Sequence, residues 1–190
     1  MKRYLFLALL ASLTFSSPLY ATRFRMLDAK GLGVAASQYG AMGFKGKILK
    51  IENVEGDRRI TILVQDVLRG DIKEGQTIVL NFPGPSAPNQ LSYVKTFKIP
   101  LPSSLNVGDT TVLFVSRNMF GKNFLIGGEQ GQFFVTQQNG KEYIYNRFNN
   151  QNIFSTNASK SPLMKQVMGD MYERNSGTIS ITDFKKLMNE

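Results

Sequence analysis

Between Phe44 and Phe82 the chain reads FKGKILKIENVEGDRRITILVQDVLRGDIKEGQTIVLNF, and its apolar residues recur at every second position. A period of two sends successive side chains to opposite faces of an extended chain, so the run predicts strands and excludes a helix. Ile60, Ile62, Val64 and, beyond Asp66, Leu68 share one face; Thr61, Leu63, Gln65 and Val67 share the other. The β-branched residues suit a pleated, half-buried surface. Gly56-Asp57 and Gly70-Asp71 mark chain reversals on either side. Ile78, Leu80 and Phe82 repeat the period until Pro83, which has no N–H for a ladder. These are the first three strands of a small antiparallel β-barrel.

The remaining chain continues in that style and then changes. Residues 22–43 hold Gly31, Gly33, Gly40 and Gly43 and predict an irregular lead-in, with a short helical turn near Val34 to Gln38. Pro83 to Asn89 is a turn-rich loop, and Ser92 to Ile99 alternates as a strand closed by Pro100 and Pro102. Thr110 to Ser116 is apolar on both faces, as in a strand covered on both sides. Phe124 to Ile126 begins a strand broken at Gly127-Gly128, and Gly131 to Thr136 continues it. Asn139-Gly140 joins that run to Glu142–Phe148, the signature of a type I′ hairpin, in which both central residues need positive φ. The Asn- and Ser-rich stretch from Asn146 to Ser161 reads as a linker or surface loop. Beyond it Leu163, Val167, Met168 and Met171 form a helical stripe after Ser161-Pro162, and a last helix covers about Asp183 to Asn189.

The first 21 residues have the form of a signal peptide: Lys2 and Arg3, then apolar Leu5 to Leu13, then a polar approach to cleavage after Ala21. The apolar run is too short to anchor the chain across a bilayer, so no transmembrane span is expected in the mature chain. The expected location is the periplasm or outside the cell. Removing Lys2 and Arg3 lowers the net charge from +9 to +7, which still favours polyanionic partners. With no His and no Cys, Ser-His-Asp and Cys-His catalysis, thiolate or imidazole zinc sites and thiol redox chemistry are excluded. Carboxylate chemistry, lysine chemistry and oxygen-ligand metals survive that filter.

Several segments fall into a familiar rhythm. Phe44-Lys-Gly-Lys-Ile-Leu is followed by a strand ending Asp66-Val67-Leu68-Arg69-Gly70, then Gly75-Gln-Thr-Ile-Val, Val107-Gly108-Asp109 and Gly127-Gly128-Glu-Gln-Gly131. From Phe44 to Thr136 the chain resembles the OB-fold-like barrel of uncharacterised bacterial exported proteins. It is more distantly similar to netrin-type and metalloproteinase-inhibitor modules. Those inhibitors act through an N-terminal cysteine and disulfides, which this chain lacks, so the resemblance carries the barrel and not the inhibition.

Three constellations are candidates for function. Lys45, Lys47, Arg58, Arg59, Lys95 and Lys98, interleaved with Phe44, Tyr93 and Phe97, could form a basic face on the early strands. OB barrels stack bases on aromatics in such a groove, but the same lysines also serve as solvated charges that block strand addition. Ser176 to Phe184 mimics the end of an EF-hand loop, yet its first and third positions would be Tyr172 and Arg174, where carboxylates are required. A glycine turn, a short extended segment and a capped helix account for it better. Asp66 and Glu129 are the third candidate, as a carboxylate pair for acid–base hydrolysis. Asp66 lies on an otherwise apolar face and is expected to bond a neighbouring turn or to pair with Arg58 or Arg59.

The expectation is therefore a mainly β protein: an antiparallel OB-like β-barrel over 44–148, with a linker and two short C-terminal helices over 149–190. The expected role is binding of another macromolecule, a polyanion or an envelope protein, through Lys45, Lys47, Arg58, Arg59, Tyr93, Lys95 and Lys98. No catalytic residue, cofactor or metal is assigned, and export makes nucleic acid a poor natural ligand. The alternatives are a hydrolase using carboxylates alone and an envelope-associated structural protein.

Overall fold

The computed structural model describes residues 27–38, 40–83, 105–153, 161–173 and 176–189. The expected signal peptide, Tyr93, Lys95, Lys98 and the strand expected at Ser92–Ile99 lie outside the described residues. The fold is mainly β. Strands β1 (Met42–Val54), β2 (Asp57–Arg69), β3 (Thr77–Pro83), β4 (Thr110–Arg117), β5 (Asn123–Leu125), β6 (Gln132–Gln138), β7 (Lys141–Tyr145) and β8 (Ile179–Ser180) form one antiparallel sheet. Its order is β3-β2-β1-β4-β6-β7-β8, with β5 paired to the far end of β4. Helices α1 (Ala29–Ala36), α2 (Pro162–Glu173) and α3 (Ile181–Met188) pack on it.

The sheet separates two apolar cores, and β4 belongs to both. Leu113 and Val115 join Phe44, Ile48, Ile60, Ile62, Val64, Leu80 and Phe82 on the inner face. Val112 and Phe114 point the other way, into a layer closed by the three helices. All four side chains are fully buried, which explains why this strand is apolar on both faces. In the helical layer the rings of Phe114, Phe133 and Phe184 meet at 5.0–6.0 Å between centroids, two of the contacts edge-on.

On the inner side the sheet curls far enough for β3 to meet β5. The Asn81 backbone N–H donates to Asn123 Oδ1 at 2.8 Å, and Lys122 pairs with Asp57. No backbone ladder joins these two strands among the described residues.

Three irregularities change what simple alternation predicts. Lys45 faces Asp66 and Gly46 faces Val64, so Gln65 is an extra residue in β2. Leu68 is likewise extra, and so is Leu49 in β1. Past Gln65 the faces exchange: Val67 packs on the inner core, while Leu68 lies in the helical layer. Leu68 therefore does not share a face with Ile60, Ile62 and Val64.

Other elements also differ from expectation. The irregular lead-in contains a true helix, α1, capped by Asp28, whose Oδ1 accepts from the Gly31 N–H at 2.7 Å. Gly33 lies in that helix because a Cβ there would come within 3.1 Å of the Met188 carbonyl oxygen. Its role is close helix approach, not flexibility. In α2 the buried stripe is Met164 and Val167, with Leu163 and Met171 partly buried and Met168 turned to solvent. Asn146 and Asn150, read as loop residues, are both buried. The Asn139-Gly140 hairpin forms as expected, with φ of 50° and 73°. Ser176–Phe184 forms the turn, β8 and α3, whose N-cap Ser180 accepts from the Asp183 N–H at 3.1 Å.

Candidate functional site

The helices cover only part of the sheet's outer face. On β1, β2 and β3 the alternation sends Ile48, Ile60, Ile62 and Leu80 inward and leaves Lys47, Arg59, Thr61 and Val79 outward. Register brings these outward residues together: Lys47 faces Leu63, Lys50 faces Thr61, Glu52 faces Arg59, and Arg59 in turn faces Asn81. Val79 and Leu49 add apolar surface, exposed at 52% and 42%. The result is a basic face with apolar patches, uncovered by any described element.

The sequence-predicted site residues divide among different environments. Lys47 and Arg59 lie on this face; Arg59 Nε donates to Asn81 Oδ1 at 3.2 Å across the β2–β3 ladder. Lys45 stands nearer the helical layer, and its Nζ donates to Glu142 Oε2 on β7 at 2.6 Å, with only 14% of its side chain exposed. Its charge is matched within the protein. Arg58 is on the inner side, opposite Phe82 in register, and its Nη2 reaches the Leu105 carbonyl oxygen at 3.4 Å. Phe44 is core. The structure thus places Lys47 and Arg59 on one sheet face, four residues apart in register, engages Lys45 with Glu142, and turns Arg58 to the inner side.

Sequence reasoning missed Lys50. Strict alternation sends it inward with Ile48, and only the extra residue Leu49 turns it out, where it pairs with Glu52 at 2.8 Å. The Lys50-Ile-Glu52 spacing was the available signal, since two charges flanking one apolar residue define a solvent face.

The candidate carboxylates are held by different partners. Asp66 lies on the outer side and accepts from Lys185 Nζ of α3 at 2.6 Å, rather than from Arg58 or Arg59. Glu129, in the 3-10 turn Gly128–Gly131, pairs with Arg147 at 2.5 Å. Two surface depressions measure ≈ 390 Å³ and ≈ 200 Å³. Among the described residues, the larger is lined by Asn149, Met168, Met171 and Tyr172 with no acid, and the smaller, beside Leu105 and Tyr145, has Asp109 alone. Neither brings two carboxylates together. Among the described residues no group of acidic side chains is arranged to hold a metal, and no helix is long and apolar enough to cross a membrane.

Comparison with known proteins adds no assignment: no protein-family model matches the chain, and no curated protein matches it in sequence.

Proposed function

We propose that this chain is an exported, non-catalytic protein that binds another macromolecule through the outer face of β1–β3. The observation that carries the reading is the uneven covering of one sheet face. Its β4 end is sealed by helices, while among the described residues nothing covers its β1–β3 end, which carries Lys47, Lys50 and Arg59 with Leu49 and Val79. The curl that brings β3 to β5 supports an OB-like barrel as the platform, a fold whose strands present flat binding surfaces. The partner class that fits the charge is an acidic surface, either a polyanion or an acidic envelope protein.

Binding of the protein to single-stranded oligonucleotides and to anionic glycans across a salt series tests the reading. Neutralised anionic groups appear as the slope of log affinity against log salt, and taking away one cation that neutralises a phosphate flattens that slope by roughly one. Micromolar or tighter binding near physiological salt that falls on Lys47→Glu and Arg59→Glu is the expected result. Binding that vanishes at that salt and ignores both substitutions makes the charge a bulk property and overturns the polyanion form of the reading. Capture of an acidic envelope protein, abolished by the same substitutions, would retain the protein-binding form.

A further inference from the structure

A second surface stands apart from that face. The β4–β5 hairpin ends in Arg117-Asn118-Met119-Phe120-Gly121-Lys122. Its backbone is fixed from within: Asn118 Oδ1 accepts from the Phe120 N–H at 3.0 Å and from the Lys122 N–H at 2.9 Å. The Asn118 N–H donates to the Lys122 carbonyl oxygen, and Arg117 Nε donates to the Gly121 carbonyl oxygen at 3.1 Å. Gly121 supplies the positive φ of 76° that lets the chain reverse. None of this uses the side chains of Met119 and Phe120, which project with 91% and 60% of their surface exposed.

A turn is ordinarily made from Gly, Asn, Asp, Ser or Pro, so two adjacent large apolar residues at its apex are not required by the turn itself. Their shape limits what can receive them. A convex tip of two side chains offers no groove for a peptide or helix, but it can enter a soft apolar phase as a wedge. The charge around it is complementary to an anionic one. Arg117 and Lys122 flank the tip, and the hairpin has no carboxylate. At the start of β2 beside it, Asp57 is matched by Lys122, which leaves Arg117 as the hairpin's unmatched cation among the described residues.

We propose that the β4–β5 tip inserts Met119 and Phe120 into the headgroup–acyl boundary of an anionic lipid surface, with Arg117 at the phosphates. A single wedge with few cations gives reversible peripheral contact, not anchoring. The inference does not depend on the β1–β3 face.

The chain contains no tryptophan, so Phe120→Trp places a single reporter at the apex. Vesicles of phosphatidylcholine with about a third phosphatidylglycerol should shift its emission to the blue, and brominated acyl chains should quench it. Pure phosphatidylcholine should bind at least about fivefold more weakly, because the cations then have no anionic headgroup to meet. Met119→Trp is the second reporter should the first variant fail to fold, and Val79→Trp reports on the separate β1–β3 face. No blue shift at either tip position overturns the proposal. So does a shift that grows with protein concentration without vesicles, which would indicate self-association, or a shift confined to Val79→Trp.

Discussion

Lys185 Nζ lies 2.6 Å from Asp66 Oδ1, joining the last helix to the middle of the second strand across 119 positions of sequence. The contact exists because the extra residue at Gln65 turns Asp66 from the inner core to the helical side of the sheet. Both side chains are about one-third exposed, so solvent screening limits the pair to roughly 0.5–1 kcal/mol. A double-mutant cycle with Asp66→Asn and Lys185→Met, read by urea unfolding, should return a coupling of that size. The corresponding cycle with Arg59→Met should be additive. Absence of coupling to Lys185 would mean that Asp66 faces the inner core and that β2 lacks the irregularity at Gln65.

How much could be read in advance follows from what alternation encodes. Residues 60–64 and 78–82 each keep a period of two and their burial matches it, while 112–115 are apolar throughout and buried on both faces. The turn at Asn139-Gly140 was legible because positive φ at two successive residues restricts the side chains allowed there. The faces of Lys50, Asp66 and Leu68 were not legible, since one inserted residue reverses every later side chain without altering local propensity. Helix α1 was hidden by Gly31 and Gly33, the second of which serves its packing against Met188. Among the candidate site residues, the Lys45–Glu142 pair depends on β4, β6 and β7 following β1 in the sheet, a long-range arrangement that no local pattern records.

Two glycines should respond oppositely to alanine. At Gly131 an added Cβ would overlap the Ile126 carbonyl oxygen and sit 3.1 Å from that of Phe114, both backbone atoms that cannot swing away. Gly131→Ala should destabilise the fold by about 1–3 kcal/mol through overpacking. Gly169 lies exposed in α2 with nothing near its missing side chain. Gly169→Ala should stabilise by roughly 0.5–1 kcal/mol, because glycine loses more backbone freedom in a helix. Thermal melts of the two variants should move in opposite directions.

Asn150 holds the approach to the C-terminal helices. Its Nδ2 donates to the carbonyl oxygens of Ile144 at 2.8 Å and Gly177 at 2.7 Å, and its Oδ1 accepts from the Asn146 N–H at 3.1 Å. The side chain is fully buried, so removing it strands backbone groups without water. Asn150→Ala should cost about 2–4 kcal/mol, a large effect for one side chain because three hydrogen bonds disappear at once. Asn150→Asp should fare no better, since a carboxylate cannot donate to two carbonyls. Native-state hydrogen exchange near β8 should rise in both variants.

The aromatic cluster tests whether the helices are integral to the fold. Phe184 is fully buried, with its ring 5.0 Å from Phe133 and 5.9 Å from Phe114. Phe184→Ala should cost roughly 3–5 kcal/mol, and Phe184→Leu much less, because most of the volume is retained. If α3 were only loosely attached, both variants would unfold at the wild-type urea midpoint.

Lys45 and Lys47 are two positions apart and point to the same side of β1, yet they should fail in different assays. Lys45 is mostly buried against Glu142, between the exposed and buried limits for an ion pair. Lys45→Ala should therefore cost about 1–2 kcal/mol of stability while leaving polyanion binding near wild type. Lys47 is exposed, and no hydrogen bond or ion pair within the fold engages its ammonium group among the described residues. Lys47→Ala should be neutral to stability within about 0.5 kcal/mol, and it should flatten the slope of log affinity against log salt by roughly one. Comparing urea midpoints with oligonucleotide titrations separates the two. An equal weakening of binding at both positions would place the binding surface nearer β7 than the β1–β3 face.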